Sequence, residues 1–139
     1  MKANLYQTLW VSLGSAIGAC ARWGIGVMQS GAEVPAAMPW GTLAVNAAGS
    51  LVIGLYAAMA RPDGPMRGGE AQHLFVMVGF CGGFTTFSLF SAEVLLLVRA
   101  GDAVGAGVLL LLSTATWLAG AWIGYRAGER LASRHEVRR

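Results

Sequence analysis

The sequence predicts an all-α integral membrane protein of four transmembrane helices, the third of them broken. Three observations carry that expectation. Hydrophobic residues make up 55% of the 139 residues and charged residues only 12%, whereas an ordinary soluble domain is about 25% charged. Four apolar stretches reach the length of about 20 residues that a bilayer-spanning helix needs. The third is interrupted by a run rich in glycine, serine and threonine.

The first span, residues 5–28, starts after Lys2. It is longer than the apolar core of a signal peptide and contains Arg22, so it reads as a mature membrane helix. Turn chemistry from Ser30-Gly31 to Pro35 leads into the second span, residues 39–60. Arg61-Pro62-Asp63-Gly64-Pro65 ends that span and opens a polar loop reaching Glu70. The third span covers residues 72–98. Ala100-Gly101-Asp102 is the tight link to the fourth, residues 103–125. A basic tail, residues 126–139, closes what reads as a single membrane domain over 1–139. No long hydrophilic segment is present, so chemistry is expected inside the membrane or at its face.

The net charge of +3 is uneven, with five arginines after Tyr125 beside Glu129 and Glu136. A basic tail next to a membrane segment suits anionic lipid headgroups, and no aromatic-interleaved basic patch argues for nucleic acid. Four spans put both termini and the middle loop on one side, with Lys2, Arg61, Arg67 and the tail arginines; Arg99 and Glu33 fall on the other. The bias favours cytoplasmic termini. Without the tail it is small, which leaves insertion in both orientations open. Cys20 and Cys81 lie in apolar runs with no metal spacing and read as buried packing residues. His73 and His135 read as interfacial. No metal set, nucleophile arrangement or cofactor motif suggests an enzyme.

Small residues recur four apart: Gly14 and Gly18, Ser50 and Gly54, then Gly120, Gly124 and Gly128. In lipid such stripes let backbones approach closely. They suit either packing within one chain or association between copies, and the enclosure of a polar path favours association.

Polar groups at membrane depth are costly and are therefore functional candidates. Arg22 is either an interfacial anchor or a positive charge holding an anion vestibule. Asn46 either bonds a neighbouring helix or donates its amide to a substrate. Glu93 is either a structural acid or a site for a proton or cation. The main signal is residues 79–91, GFCGGFTTFSLFS. Three glycines in five residues weaken a helix, and an irregular backbone is tolerated in a membrane only when buried in protein or lining a cavity. Freed carbonyls suit a cation, and freed N–H groups suit an anion.

Residues 79–93, GFCGGFTTFSLFSAE, resemble the signature of the Fluc/CrcB fluoride channels. Residues 18–23, GACARW, and 41–54, GTLAVNAAGSLVIG, resemble the first- and second-helix motifs of that family. The resemblance implies a passive fluoride-selective channel in the bacterial plasma or inner membrane that exports cytoplasmic fluoride and relieves its toxicity. It implies an antiparallel, dual-topology homodimer with two pores. Asn46 would be the pore asparagine, and Phe87 and Phe90 would turn ring edges to fluoride. Gly82 and Thr85 would give backbone carbonyls to a structural Na+ at the dimer centre. Arg22 would be the vestibule arginine; Thr86, Ser88, Ser113 and Glu93 would lie along the polar path. One departure stands on the fourth helix. Some members have a tyrosine one turn before the serine, and this chain has Leu109 before Ser113. The competing readings are a small proton-coupled multidrug-type antiporter exchanging at Glu93, and a structural membrane subunit. The antiporter's acid belongs on the first helix, where this chain carries Arg22.

Overall fold

The computed structural model describes residues 2–29, 39–62 and 64–136. The expected turn from Ser30 to Pro35, with Glu33, and Asp63 lie outside the described residues. Everything regular within them is helical. Helix α1 is Lys2–Gln29 and α2 is Trp40–Met59. The third passage is composite: α3, Glu70–His73, runs into a π-helical stretch, Leu74–Phe80, and then α4, Cys81–Phe84. Thr85 and Thr86 are extended, with ψ of 159° and 119°. Helix α5, Phe87–Arg99, completes the passage, and α6 is Ala103–Glu136.

Three helical runs among the described residues are long and apolar enough to cross a bilayer: Trp40–Met59, Glu70–Arg99 and Ala103–Arg134. The chain is therefore a multi-pass membrane protein. Helix α1 is 28 residues long with Arg22 inside it, and it falls short of that measure. The basic stretch after Tyr125 is helical as far as Glu136. At about 1.5 Å per residue α6 is roughly 51 Å long, against a hydrocarbon core of about 30 Å. Its arginine-bearing end therefore projects into the headgroup region and beyond. Glu129 ties that end to the loop after α2, 3.4 Å from Arg61, and to Arg126 at 3.5 Å.

The small-residue stripes settle how the helices pair. Helix α1 lies against the π-helical stretch and α4, and α2 lies against α6 along its length. A methyl on Gly18 would stand 2.7 Å from the Phe84 nitrogen, and one on Gly14 would stand 2.8 Å from the Phe80 nitrogen. From the other side, a methyl on Gly79 would meet the Gly14 Cα at 2.9 Å, and one on Gly83 the Ser15 Cα at 2.8 Å. In the second pair, Gly54 faces Ala121 and Tyr125 while Gly124 faces Leu51 and Leu55. Both stripes are thus occupied within the chain. Of the two uses that the spacing suits, these residues serve packing within one chain.

The π-helical stretch lies at this contact with α1. Its wider i to i+5 turn carries one more residue per turn than an α-helix at the same height; the Cys81 N–H accordingly reaches the Val76 carbonyl. The link between α5 and α6 is a Schellman turn. Gly101 takes the left-handed conformation (φ 81°), and the N–H groups of Gly101 and Asp102 bond the carbonyls of Val98 and Leu97 at 3.0 and 2.9 Å. Asp102 then caps α6, accepting the Gly105 N–H at 2.7 Å. Of the two cysteines, Cys81 is buried as expected; Cys20 is exposed on α1.

Replacing Gly54 by valine sets side-chain atoms against α6 backbone, 2.8 Å from the Tyr125 nitrogen at the first carbon alone. Overpacking of this kind costs about 1–3 kcal/mol. Thermal unfolding in detergent should fall clearly for Gly54→Val and stay unchanged for Gly24→Ala, where the added carbon meets nothing within 4 Å.

Candidate ion site at the helix break

The break falls on the threonines, not on the glycines. Gly82 and Gly83 remain helical in α4, and Thr85 and Thr86 carry the extended backbone. Both are β-branched, which fits extended geometry better than helix. Gly49 on α2 makes the space: a carbon there would collide with the Thr85 Cγ2.

An extended pair inside a membrane protein loses its helical hydrogen bonds, and a buried N–H or C=O must find another partner. Asn46 supplies both. Its Oδ1 accepts the Thr86 N–H at 2.7 Å, and its Nδ2 donates to the Thr86 carbonyl at 2.9 Å. The side-chain amide thus stands in for a neighbouring strand. Thr86 in turn caps α5, its Oγ1 accepting the Leu89 N–H at 3.2 Å, with Ser88 Oγ 3.3 Å away. Arg22 reaches across from α1 and donates Nε to the Gly83 carbonyl at 3.2 Å. That places a cation at the C-terminal, negative end of α4.

The carbonyls of Gly82, Gly83, Phe84 and Thr85 lose their helical donors in consequence, and Gly83 takes Arg22 instead. The Thr86 N–H that would close the turn on Gly82 goes to Asn46. The Leu89 N–H that would close the turn on Thr85 goes to Thr86 Oγ1. A carbon on Gly82 would meet nothing within 4 Å, so that face of the break is open.

Beside the break lies a cleft of about 190 Å³ lined by Asn46, Ser50, Ile53, Thr85, Thr86, Phe87 and Trp117. Phe87 is 70% exposed, whereas Phe90, one turn further, is 4% exposed. The two rings are 5.7 Å apart, and Phe90 meets the Trp117 ring edge-on at 4.9 Å and 71°. The aromatic edge carries partial positive charge, and Phe87 brings a ring to the wall of the cleft.

Glu93 sits one turn beyond Phe90. Its Oε1 accepts the Thr42 hydroxyl at 2.6 Å, and its Oε2 is buried without a partner among the described residues. Ser113 is 1% exposed and its hydroxyl likewise has none. The candidates therefore fall into three places. Asn46, Thr85, Thr86 and Phe87 meet at the cleft, with Phe90 joined through Phe87 and Trp117. Arg22 and Gly82 belong to the α4 side of the break. Ser113 is buried and Glu93 half-buried beyond it, and Ser88 is exposed. Thr42 and Trp117 escaped the sequence reading. Each stands one helical turn from a residue that was singled out, Asn46 and Ser113 respectively, so helical spacing was the signal that pointed to them.

The family of CrcB-like proteins (Camphor Resistance, CrcB) matches residues 9–125. The chain belongs to the CrcB family. It is 46% identical over 130 residues to "Fluoride-specific ion channel FluC 1" of Rhodopseudomonas palustris, covering 94% of this chain and 90% of that protein. It is 41% identical over 118 residues to "Fluoride-specific ion channel FluC" of Methylocella silvestris, covering 84% and 88%. A protein of the same name from Opitutus terrae is 41% identical over 127 residues, covering 90% and 94%. The CrcB match takes in every residue of the cleft and stops at Tyr125, before the projecting end of α6.

Asn46→Ala strands the Thr86 N–H and carbonyl at a buried position. Each orphaned backbone group costs about 1–3 kcal/mol. Thermal unfolding in detergent should show a much larger loss than for Thr114→Ala, whose exposed hydroxyl only bonds back to its own helix at Leu110.

Proposed function

We propose that this CrcB-family chain is a fluoride-selective ion channel through which fluoride leaves the bacterial cytoplasm down its electrochemical gradient. The observation that carries the reading is the cleft where an amide, a broken backbone and Phe87 converge, with Phe90 packed behind Phe87. Its relatives carry the name of fluoride-specific channel. The protein is a transporter of an ion and not an enzyme.

Fluoride is small and holds its water strongly, so a pore must replace hydration with short hydrogen bonds and remain weak enough to release the ion. The Asn46 amide and the Thr86 and Ser88 hydroxyls are donors. Phe87 and Phe90 add ring edges, which attract an anion without the deep trap of a fixed charge. Glu93 and Ser113 extend the polar path beyond Phe90, and Arg22 raises the local concentration of anions at the entrance.

In this reading all four long helices cross the bilayer, α1 included, and the chain is one membrane domain. Two copies pack antiparallel in a dual-topology homodimer with two pores. The 70% exposure of Phe87, on a cleft that one chain leaves open, supports a second copy as its cover. Structural Na+ would be held by the Gly82 and Thr85 carbonyls, which are among those that the break strips of helical donors. Such a cation would supply positive charge that joins two clusters of carbonyl oxygens whose negative dipole ends repel. The antiporter alternative places exchange at Glu93, whose Oε1 is already committed to Thr42.

Purified protein in liposomes should release fluoride far faster than chloride, and equal rates would sink the selectivity claim. Phe90→Leu keeps an apolar side chain at the position but removes the ring edge. It should cut fluoride efflux at least tenfold with the elution volume unchanged. Exchanging sodium for N-methylglucamine at constant ionic strength should lower the dissociation temperature of the dimer; an unchanged temperature would remove sodium from the assembly.

A further inference from the structure

Helix α6 carries two stripes of four-residue spacing on different faces. Gly120, Gly124 and Gly128 face α2; a methyl on Gly128 would stand 2.7 Å from the Ala58 Cβ. The second stripe is Leu118, Trp122, Arg126, Arg130 and Arg134, and all five are exposed. Its offset of two residues is about 200° around a helix, so it points away from the chain's own packing.

This stripe changes chemistry where the membrane ends. A hydrocarbon core of about 30 Å takes about 20 helical residues, which from Ala103 finish near Trp122. Leu118 and Trp122 are 67% and 65% exposed, and tryptophan favours the membrane–water boundary. The same face then continues in arginine. Arg126 stands about 6 Å beyond Trp122 and Arg130 about 12 Å, at and just above a headgroup layer about 5–7 Å deep. Each Cα–Cβ bond of an α-helix tilts toward the helix N-terminus. Because α6 runs out of the membrane, that tilt sends the Arg130 side chain back toward the headgroups.

The charge around this pair is positive and partly fixed. Glu129 lies 3.5 Å from Arg126 and 3.4 Å from Arg61, so one carboxylate is shared by two arginines from different segments. Arg130 makes no salt bridge among the described residues. Three arginines thus meet one acid beside an apolar strip. A free phosphate would match only the upper half of that surface. A phosphate carrying acyl chains matches both halves.

We infer that Arg126 and Arg130, braced by Glu129 and Arg61, bind the phosphate of an anionic phospholipid whose chains lie along Leu118 and Trp122. Guanidinium groups take phosphate oxygens in pairs of hydrogen bonds. The assignment is independent of the channel reading, and Arg126 and Arg130 lie beyond the residues that the CrcB family matches.

The test uses the full chain in uncharged detergent. Native mass spectrometry counts bound lipid as phosphatidylglycerol or phosphatidylcholine with the same acyl chains is added. The wild type should hold phosphatidylglycerol about twentyfold more tightly, a factor of about five for each arginine. Arg126→Gln combined with Arg130→Gln should abolish that preference. Arg67→Gln combined with Arg99→Gln, the same change in charge elsewhere, should keep it. Should the first pair of substitutions prevent folding, Arg130→Gln alone, which breaks no ion pair, should lower the preference about fivefold. Equal uptake of both lipids by the wild type overturns the assignment, as does an equal loss from the two double variants. Displacement of phosphatidylglycerol by an equal concentration of inorganic phosphate overturns it in favour of a free-phosphate site. A later elution volume for Arg126→Gln with Arg130→Gln, lipid preference intact, overturns it in favour of a contact between copies.

Discussion

Two hydrogen bonds between one side-chain amide and one backbone residue hold this architecture open. Thr86 is extended at membrane depth, where its N–H and carbonyl have no water to fall back on. Asn46 bonds both. Without it the third passage would gain by closing into continuous helix, and the freed carbonyls, the capped start of α5 and the cleft would all disappear. The break is therefore a tertiary structure supported from α2, and its cost is met by a residue forty positions away in sequence.

That support works only at short range, and the small residues provide the range. Gly49 lets α2 come within reach of Thr85 and Thr86. Gly14 and Gly18 bring α1 onto the π-helical stretch and α4, close enough for Arg22 to cap the Gly83 carbonyl. Gly54 and Gly124 bring α6 onto α2, which sets Trp117 at the cleft. Backbone proximity, polar satisfaction and site geometry form one chain of dependence. Each helix contacts the break through a glycine or through a polar side chain that a glycine admits.

Much of this was legible in the residues. The last three apolar stretches and the turn signals between them placed helices long and apolar enough to cross a bilayer, which length and hydropathy decide. Asn46, Arg22 and Glu93 declared themselves because polar groups at membrane depth demand a reason. The glycines of residues 79–83 misled in one respect. They signalled a weakened helix, yet Gly79 and Gly83 serve close packing, and the chain opens two residues later at the threonines. Helix propensity describes an isolated segment; here neighbouring backbone decides which residues unwind.

What the sequence by itself determined is the helical membrane class, the family motifs and the short set of polar residues worth explaining. Composition and periodicity suffice for these, because they depend on each segment's own solvent preference. What only the tertiary structure decided is how those residues are spent. Asn46 is clamped to Thr86, Arg22 caps α4, Glu93 takes Thr42, and the Trp117 N–H has no partner among the described residues. Hydrogen-bond satisfaction is a relation between segments distant along the chain, and no single segment encodes which of its donors will be left over.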